Sequence, residues 1–405
     1  MLDIAKIRKD FPLLHKPYHG KRLAYLDSAV SSQMPRLAID KMISYMETEH
    51  TNVHRGVSRL SQEATDSFEV ARNKVRAFIN APSSKQIIWT RGATEAINLV
   101  SQTWGRANIS EGDEILLSAM EHHSNIVPWQ LLAEGKGAKI SVIPMNDKGE
   151  LMLEALPNLF TDRTRIVGIT HVSNALGTIN PVKEIISTAH SRGVLVLVDG
   201  AQSVPHMRVD VQELDADFFV FSGHKMCGPT GIGVLYAKQE LLEAMPPWHG
   251  GGSMILSVSW EKTLFMPPPA KFEAGTPNIA GAIGLGASID YLGNIGIDEI
   301  SAWENHLLQV ATERLLRIDG LKIIGNAKEK AGIISFVLEG IHPHDVGSIL
   351  DLEGVVVRAG HHCAQPVMQY FCIPATTRAS FSLFNGEEDI DALVCGIQKV
   401  MEIFS

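Results

Sequence analysis

Short apolar runs alternate with helical patterns between about residues 60 and 240. In the helical segments, apolar side chains such as Phe68, Ala71 and Val75 recur three or four residues apart. Strands that alternate with helices form a mostly parallel sheet covered on both faces. We therefore predict a seven-stranded sheet from QIIWT (86–90), EILLSAM (114–120), KISVIPM (139–145), RIVGIT (165–170), VLVLVD (194–199), DFFVFS (217–222) and GVLYAK (233–238).

The pattern changes after the glycines at 250–252, where an irregular segment with three prolines at 267–269 begins. Helical patterns follow at 278–292 and 298–317, and the remaining residues predict the order β-α-β-β-α. The fold class is thus α/β, with a second, smaller α+β domain. We expect a large domain at 20–265, and a small domain built from 1–19 and 266–405.

The composition of the 405 residues narrows the partners and the compartment. A net charge of −9 argues against a nucleic-acid partner, which needs a basic patch. No apolar run approaches the roughly 20 residues of a membrane span, and the N-terminus lacks a secretory signal. The four cysteines form no CxxC pair or disulfide framework. We expect a cytoplasmic protein that binds neither nucleic acid nor membranes.

Two charged residues follow neighbouring strands of the predicted sheet. Ligands of such sheets bind outside the carboxyl ends of the strands. Asp199 ends VLVLVD and Lys225 follows DFFVFS, so a protonated ring nitrogen and a cofactor aldehyde are their candidate partners. Taken alone, the aspartate fits a helix cap or a loop position equally well. The lysine, taken alone, fits a solvated loop position better. Together they are what a pyridoxal site requires, an electron sink with a covalent anchor.

RGATEAIN follows the first strand and opens a helix, which is a place where an anion binds. Gly92 allows a close backbone approach, and Thr94 offers a hydroxyl. These residues are candidates to hold a phosphate, although Thr94 also fits a simple helix cap.

His122 follows the strand EILLSAM, where it can lie over a flat ring or move protons. The chain holds further potential zinc ligands at His342, His344 and in the HHC segment 361–363. No HxxxH or CxxC spacing occurs among these candidate ligands, which lie far apart in sequence, so we do not predict a metal site.

The small domain supplies a thiol and an arginine. Cys363 lies in HHCAQP, where His361, His362 and Arg358 favour the nucleophilic thiolate. Arg378 begins a strand, and its planar fork suits a substrate carboxylate, although a surface ion pair is the simpler reading of an arginine alone. Cys395 is expected in the core of the last helix.

Taken together, these residues resemble the class V aminotransferase-like family of pyridoxal-phosphate enzymes, and within it the type II (SufS-type) cysteine desulfurases. The resemblance covers essentially the whole chain, which has the fold-type I architecture in that family. Its most specific segments are FSGHKMCGPTGIG (221–233), FEAGTPN (272–278), VRAGHHCAQP (357–366) and TRASFSLFN (377–385).

The resemblance implies roles for individual side chains. Lys225 anchors the cofactor and acts in catalysis with Cys363 and His122. The cofactor is pyridoxal 5'-phosphate, and its binding residues are implied to be Thr94, His122, Asp199, Gln202, Ser222, His224 and Lys225, with Thr276 from a second subunit. The substrate-binding residues are implied to be Asn174, Arg358 and Arg378.

The implied activity is conversion of L-cysteine to L-alanine, with the sulfur carried on Cys363 as a persulfide for iron–sulfur cluster assembly. The implied partners are a SufE-like sulfur acceptor and a second copy of the chain, with His54 and Arg55 near the subunit boundary. A selenocysteine lyase is the nearest alternative. A true aminotransferase and a non-catalytic scaffold on the same fold are more remote.

Overall fold

The computed structural model describes residues 2–54 and 56–404, so Arg55 lies outside the described residues. The strands are β1 (Ala24–Tyr25), β2 (Ile87–Thr90), β3 (Glu114–Ser118), β4 (Lys139–Ile143), β5 (Thr164–Thr170), β6 (Leu195–Asp199), β7 (Phe218–Ser222), β8 (Gly233–Ala237), β9 (Ile255–Val258), β10 (Thr263–Phe265), β11 (Leu321–Ile324), β12 (Ile333–Leu338), β13 (Val355–Val356), β14 (Arg358–Gly360) and β15 (Thr376–Ser380).

The α-helices are α1 (Ile4–Lys9), α2 (Arg36–Thr48), α3 (Arg59–Phe78), α4 (Ala93–Val100), α5 (Arg106–Asn108), α6 (Val127–Lys136), α7 (Leu156–Leu159), α8 (Val182–His190), α9 (Val211–Leu214), α10 (Gln239–Ala244), α11 (Ile279–Ile295), α12 (Ile297–Leu315), α13 (Pro343–Leu352), α14 (Gln365–Tyr370) and α15 (Glu387–Phe404). Short 3₁₀ turns include His123–Asn125 and Gly223–Lys225, and a π-helical turn joins α4 to α5.

The larger sheet has seven strands in the order β2-β8-β7-β6-β5-β3-β4, as predicted. β8 runs antiparallel to both of its neighbours, and the other six strands share one direction. The carboxyl ends of those six strands therefore meet at one edge, where the candidate residues were expected. The α/β class and the fold-type I architecture are confirmed.

Both faces of this sheet are buried, which explains strands that are apolar at every position. Side chains of one strand alternate between two faces. In β7, Phe219 packs into the core shared with α3 and α8, whereas Phe218 and Val220 pack into the core shared with α4 and α6. Every residue of β7 is buried.

The smaller sheet has four antiparallel strands in the order β11-β12-β15-β14. Helices α12, α13 and α15 pack with it around a third core. The sequence prediction missed β11 because this edge strand is short and only Ile323 and Ile324 of it are buried. It also missed α14, a helix of six residues.

Cys395 is exposed, so its assignment to the core of the last helix was wrong. The buried stripe of α15 runs through Ile390, Leu393, Ile397 and Val400. This spacing of three or four residues leaves Cys395 outside the stripe.

The two halves of the chain are connected by more than a linker. The N-terminal strand β1 pairs in parallel with β13 of the smaller domain. Helix α11 shares the core of α3, because Ile283, Leu285 and Ile289 pack with Phe68 and Val75. Residues on both sides of the expected boundary at 265/266 thus share one core, and the division at 265/266 stays a prediction.

Gly200, directly after Asp199, allows β6 and β7 to lie close together, since a Cβ there would overlap the ring of Phe219. We expect Gly200→Ala to lower the free energy of unfolding by roughly 1–3 kcal/mol through overpacking. Urea unfolding followed by circular dichroism measures this. Gly135→Ala in α6 is the control: a Cβ there meets no atom within 4 Å, so the change should be neutral or stabilising by up to about 1 kcal/mol. Equal stability of the two variants would contradict the packing argument.

Candidate active site

A cavity of about 490 Å³ lies at the carboxyl ends of the parallel strands. It lies between the large sheet and the loop that carries Cys363. Of the residues predicted for the site, all but Thr276 line it: Thr94, His122, Asn174, Asp199, Gln202, Ser222, His224, Lys225, Arg358, Cys363 and Arg378. The fold therefore brings together side chains that lie up to hundreds of residues apart in sequence.

Asp199 and Lys225 occupy the ends of two adjacent central strands. Asp199 ends β6 and is only 4% exposed, and its Oδ1 accepts a hydrogen bond from the backbone N–H of Ala201 at 3.0 Å. Lys225 lies in the 3₁₀ turn that follows β7. Burial raises the pKa of Asp199 although Lys225 opposes the shift, and burial lowers the pKa of Lys225 although Asp199 opposes it. The attraction between the two residues therefore does not outweigh the cost of burying either charge.

His122 caps the 3₁₀ turn His123–Asn125 that follows β3, and Ser124 of that turn fixes its ring. Its Nδ1 accepts from the backbone N–H of Ser124 at 3.0 Å and lies 2.5 Å from the Ser124 hydroxyl. Burial and the nearby Lys225 lower the pKa of His122 to about 3. The imidazole is therefore neutral at physiological pH, as suits a ring that stacks on a flat cofactor.

The start of α4 forms one side of the cavity, where Ala93 and Thr94 line it. The Ser222 hydroxyl accepts from the backbone N–H of Ala93 at 2.8 Å, which ties β7 to this helix start. The exposed Thr94 hydroxyl donates to Ser124 Oγ at 3.1 Å. Backbone N–H groups at a helix start favour an anion. Burial lowers the pKa of His224 to about 4, so its imidazole is a neutral hydrogen-bonding group here.

Arg378 lies in the middle of β15 rather than at its start, and it is 1% exposed. Its guanidinium donates to the carbonyl of Asn174 at 2.8 Å and to Asp27 Oδ1 at 3.1 Å. The Nε of Arg378 has no hydrogen-bond partner among the described residues. A buried guanidinium with unused donor capacity suits a carboxylate ligand. The surface ion pair that was the simpler reading does not apply.

Cys363 is exposed at the mouth of the cavity, and both it and His362 have a φ of 53°. Arg358 is 52% exposed and lies 4.0 Å from Asp27. Burial and Arg378 lower the pKa of His362 to about 3. Burial therefore keeps the His362 ring neutral, and the expected effect of His361, His362 and Arg358 on the Cys363 thiolate stays a prediction.

Gln202 and Thr276 differ in their relation to the cavity. Gln202 is 3% exposed, donates to the carbonyl of Ala29 at 2.6 Å, and leaves its Oε1 unpaired among the described residues. Thr276 is exposed and lines a second cavity with Arg91 and Trp248. Within a single chain it does not reach the first site, and its role toward a second subunit stays a prediction.

Two buried carboxyl groups at this site were missed from the sequence. Asp27, in the quoted segment LAYLDSA, pairs with Arg378. Glu121 is fully buried and accepts from the Thr170 backbone N–H and the Asn125 amide, each at 2.8 Å. Burial raises the pKa of Glu121 to about 8. Its position directly before His122 was the available signal, because a carboxylate next to a site residue is a candidate to position it.

Residues 24–393 match the family model of class-V aminotransferases. The chain belongs to that family. It is 53% identical over 403 residues to a probable cysteine desulfurase of Halalkalibacterium halodurans, covering 100% of this chain and 99% of the relative. It is 50% identical over 398 residues to a cysteine desulfurase of Synechococcus elongatus, covering 98% of this chain but 64% of that longer protein.

Among solved structures, the cysteine desulfurase CsdA of Escherichia coli, in an S-sulfonic acid form, matches with a TM-score of 0.93 at 40% identity. The match covers 100% of this chain and 99% of that one. The resemblance to the cysteine desulfurases of this family is thereby confirmed.

The residues of the cavity fit the pyridoxal phosphate of this family. Asp199 is a buried carboxylate with no side-chain partner among the described residues, and a buried charge needs a counter-charge. A protonated pyridine nitrogen provides one. The half-buried lysine and the helix start lie on the same cavity wall, so the aldehyde and phosphate also have groups to bind.

In residues 2–54 and 56–404, no group of three or more His, Cys, Asp or Glu side chains could hold a metal ion. No helix in these ranges is long and apolar enough to cross a membrane.

The lowered pKa of Lys225 predicts that it reacts with an aldehyde at lower pH than an ordinary lysine, because only the neutral amine reacts. Lys238 is the control in the same domain: burial lowers its pKa, but hydrogen bonds to Asp215 and Asp217 raise it overall. Cofactor-free protein is treated with pyridoxal, trapped with borohydride and analysed by mass spectrometry. Half-maximal labelling should occur at lower pH for Lys225, and equal midpoints would contradict the assignment.

Proposed function

We propose that this chain is a pyridoxal-phosphate-dependent cysteine desulfurase, which converts L-cysteine to L-alanine and transfers the sulfur to Cys363 as a persulfide. The observation that carries the proposal is that Lys225 and the exposed Cys363 line the same cavity. An aminotransferase needs the lysine but has no use for a thiol facing it. The compact loop around Cys363 supports the type II group.

The cofactor would be held by groups from four strand ends. Asp199 would pair with its ring nitrogen, Gln202 would meet its ring oxygen, and His122 would stack on the ring. Thr94, Ser222 and His224 would hold the phosphate at the start of α4. The neutral state of His122 supports stacking over proton transfer at this residue.

The substrate carboxylate would bind to Arg378 with help from Asn174, and Arg358 would lie at the entrance. The support is that Arg378 is buried, is held in place by Asp27 and the Asn174 carbonyl, and has an Nε without a hydrogen-bond partner among the described residues. Since a fixed guanidinium loses little freedom on binding, it can set the orientation of the amino acid.

Pyridoxal phosphate, when bound, supplies an electron sink for the carbon next to the substrate nitrogen. Lys225 Nζ takes the proton from the substrate Cα, and its lowered pKa favours the neutral amine that this needs. The Cys363 thiolate attacks the substrate sulfur, an S–S bond forms, and the Cβ–S bond breaks. The released carbon fragment gains protons and leaves as L-alanine. L-Cysteine and one thiol thus become L-alanine and one persulfide.

A homodimer with Thr276 completing the partner's site is part of the proposal. The exposed apolar side chains of the β9–β10 hairpin support it, including Leu256, Val258 and the fully exposed Trp260. Analytical ultracentrifugation tests the dimer, and a monomer with full activity would exclude the shared site.

A SufE-like protein that serves iron–sulfur cluster assembly is proposed as the sulfur acceptor, because Cys363 is exposed at the mouth of the cavity. A cytoplasmic location is proposed because the reaction needs Cys363 as a free thiol.

Cys363→Ser should keep the cofactor absorbance but lower kcat for alanine formation by on the order of 10³-fold or more, since the hydroxyl is a far weaker nucleophile toward sulfur. Cys372→Ser is the matched control, because Cys372 is also exposed and should be dispensable. Alanine and sulfide are measured together. Native turnover by Cys363→Ser would remove the thiol from the mechanism.

A further inference from the structure

The loop around Cys363 has a backbone conformation that its residues do not favour. His362 and Cys363 both lie in the left-handed region, each with a φ of 53°. Residues other than glycine rarely adopt this region, and two in succession require surrounding contacts to hold them. The position of the thiol therefore depends on what the loop is bonded to.

The large domain holds the loop through His123. The backbone N–H of His123 donates to the carbonyl of Cys363 at 2.7 Å. The ring Nε2 of His123 accepts from the backbone N–H of Gln365 at 3.1 Å. One residue thus contacts the loop at the thiol-bearing residue itself and two positions beyond it.

The ring contact also serves the helix that follows the loop. Gln365 begins α14, and the first N–H groups of a helix have no partner within the helix. The imidazole of His123 supplies that acceptor. Burial and the nearby His361 lower the pKa of His123, which favours the neutral ring that can accept a hydrogen bond.

The turn His123–Asn125 also lies next to His122, which lines the cavity. His123 begins the turn directly after His122, and Asn125 at its end donates to the buried carboxyl of Glu121. The turn is thus anchored in the large domain, while the ring of His123 reaches the small domain.

We infer that His123 is a positioning residue that docks the Cys363 loop onto the large domain and so sets the place of the sulfur-accepting thiol. The inference rests on the proposed role of Cys363. His123 touches no reacting atom, and its effect is transmitted through the loop.

Two variants separate the hydrogen bond from the bulk of the ring. His123→Phe keeps a ring without an acceptor, and His123→Gln keeps an acceptor without the ring. His344→Phe is the control, because His344 is exposed at the start of α13, in the domain that carries the Cys363 loop. The holoenzyme of each is treated with iodoacetamide, and alkylation of each cysteine is followed by mass spectrometry.

We expect iodoacetamide to alkylate Cys363 about two- to ten-fold faster in His123→Phe than in the native protein. This factor corresponds to the loss of one hydrogen bond of ordinary net strength. Cys372 and Cys395, which are exposed elsewhere, provide internal references that should not change. The kcat for alanine formation should fall by a similar factor with little change in KM, while the cofactor absorbance stays native. His123→Gln should lie between His123→Phe and the native protein.

Native Cys363 alkylation and native kcat in His123→Phe, with the cofactor retained, would overturn the inference. Equal loss of kcat in both variants without a change in alkylation would also overturn it. Failure of the proposed function would give a different result, namely full turnover by the Cys363→Ser variant. The alkylation rates still report the docking of the loop in that case.

Discussion

The carboxylate of Asp199 is buried in the middle of the large sheet, where an unpaired charge is costly. Hydrogen bonds with the neighbouring strands fix its backbone, since Thr170 of β5 and Val220 of β7 lie beside it in register. Its side chain has one backbone donor and no cationic side chain in hydrogen-bond contact among the described residues. Such a group is stable only if a cation completes the site or if it takes up a proton. The rest of the cavity is arranged around that requirement.

The smaller domain contributes the residues on the other side of the site. Arg358 of β14 and Arg378 of β15 are partners in the strand register, and the loop after β14 carries Cys363, so all three residues line the same cavity. Contacts across the boundary then fix their positions: Asn174 meets Arg378 and the carbonyl of His362, and His123 meets the loop beyond it. In the proposed mechanism, the large domain would hold the cofactor that supplies the electron sink, and the small domain would supply the nucleophile and the arginine that binds the substrate carboxylate. A cavity between domains is a common place for such a division of roles.

Much of the large domain could be predicted from the sequence, because a sheet buried on both faces leaves continuous apolar runs such as VLVLV. The rule that ligands bind at carboxyl ends then led to Asp199 and Lys225. Features that depend on tertiary contacts were harder to predict from the sequence. The edge strand β11 shows little apolar signal, and the exposure of Cys395 depends on the angle of one helix against its core. The roles of Asp27 and Glu121 depend on which strand ends are neighbours, and the neutrality of His362 depends on burial. Local sequence carries only weak signals for them, namely the helical spacing around Cys395 and the position of Glu121 directly before His122.

The proposed function requires that the substrate sulfur passes to Cys363 inside this cavity. The direct measurement is to mix the holoenzyme with L-cysteine carrying isotopically labelled sulfur, quench, digest and locate the label by mass spectrometry. This sulfur transfer predicts one labelled sulfur atom on the peptide that contains Cys363, removable by a reductant and formed together with L-alanine. Formation of alanine with the label on the Cys372 or Cys227 peptide, or on no cysteine, would contradict it.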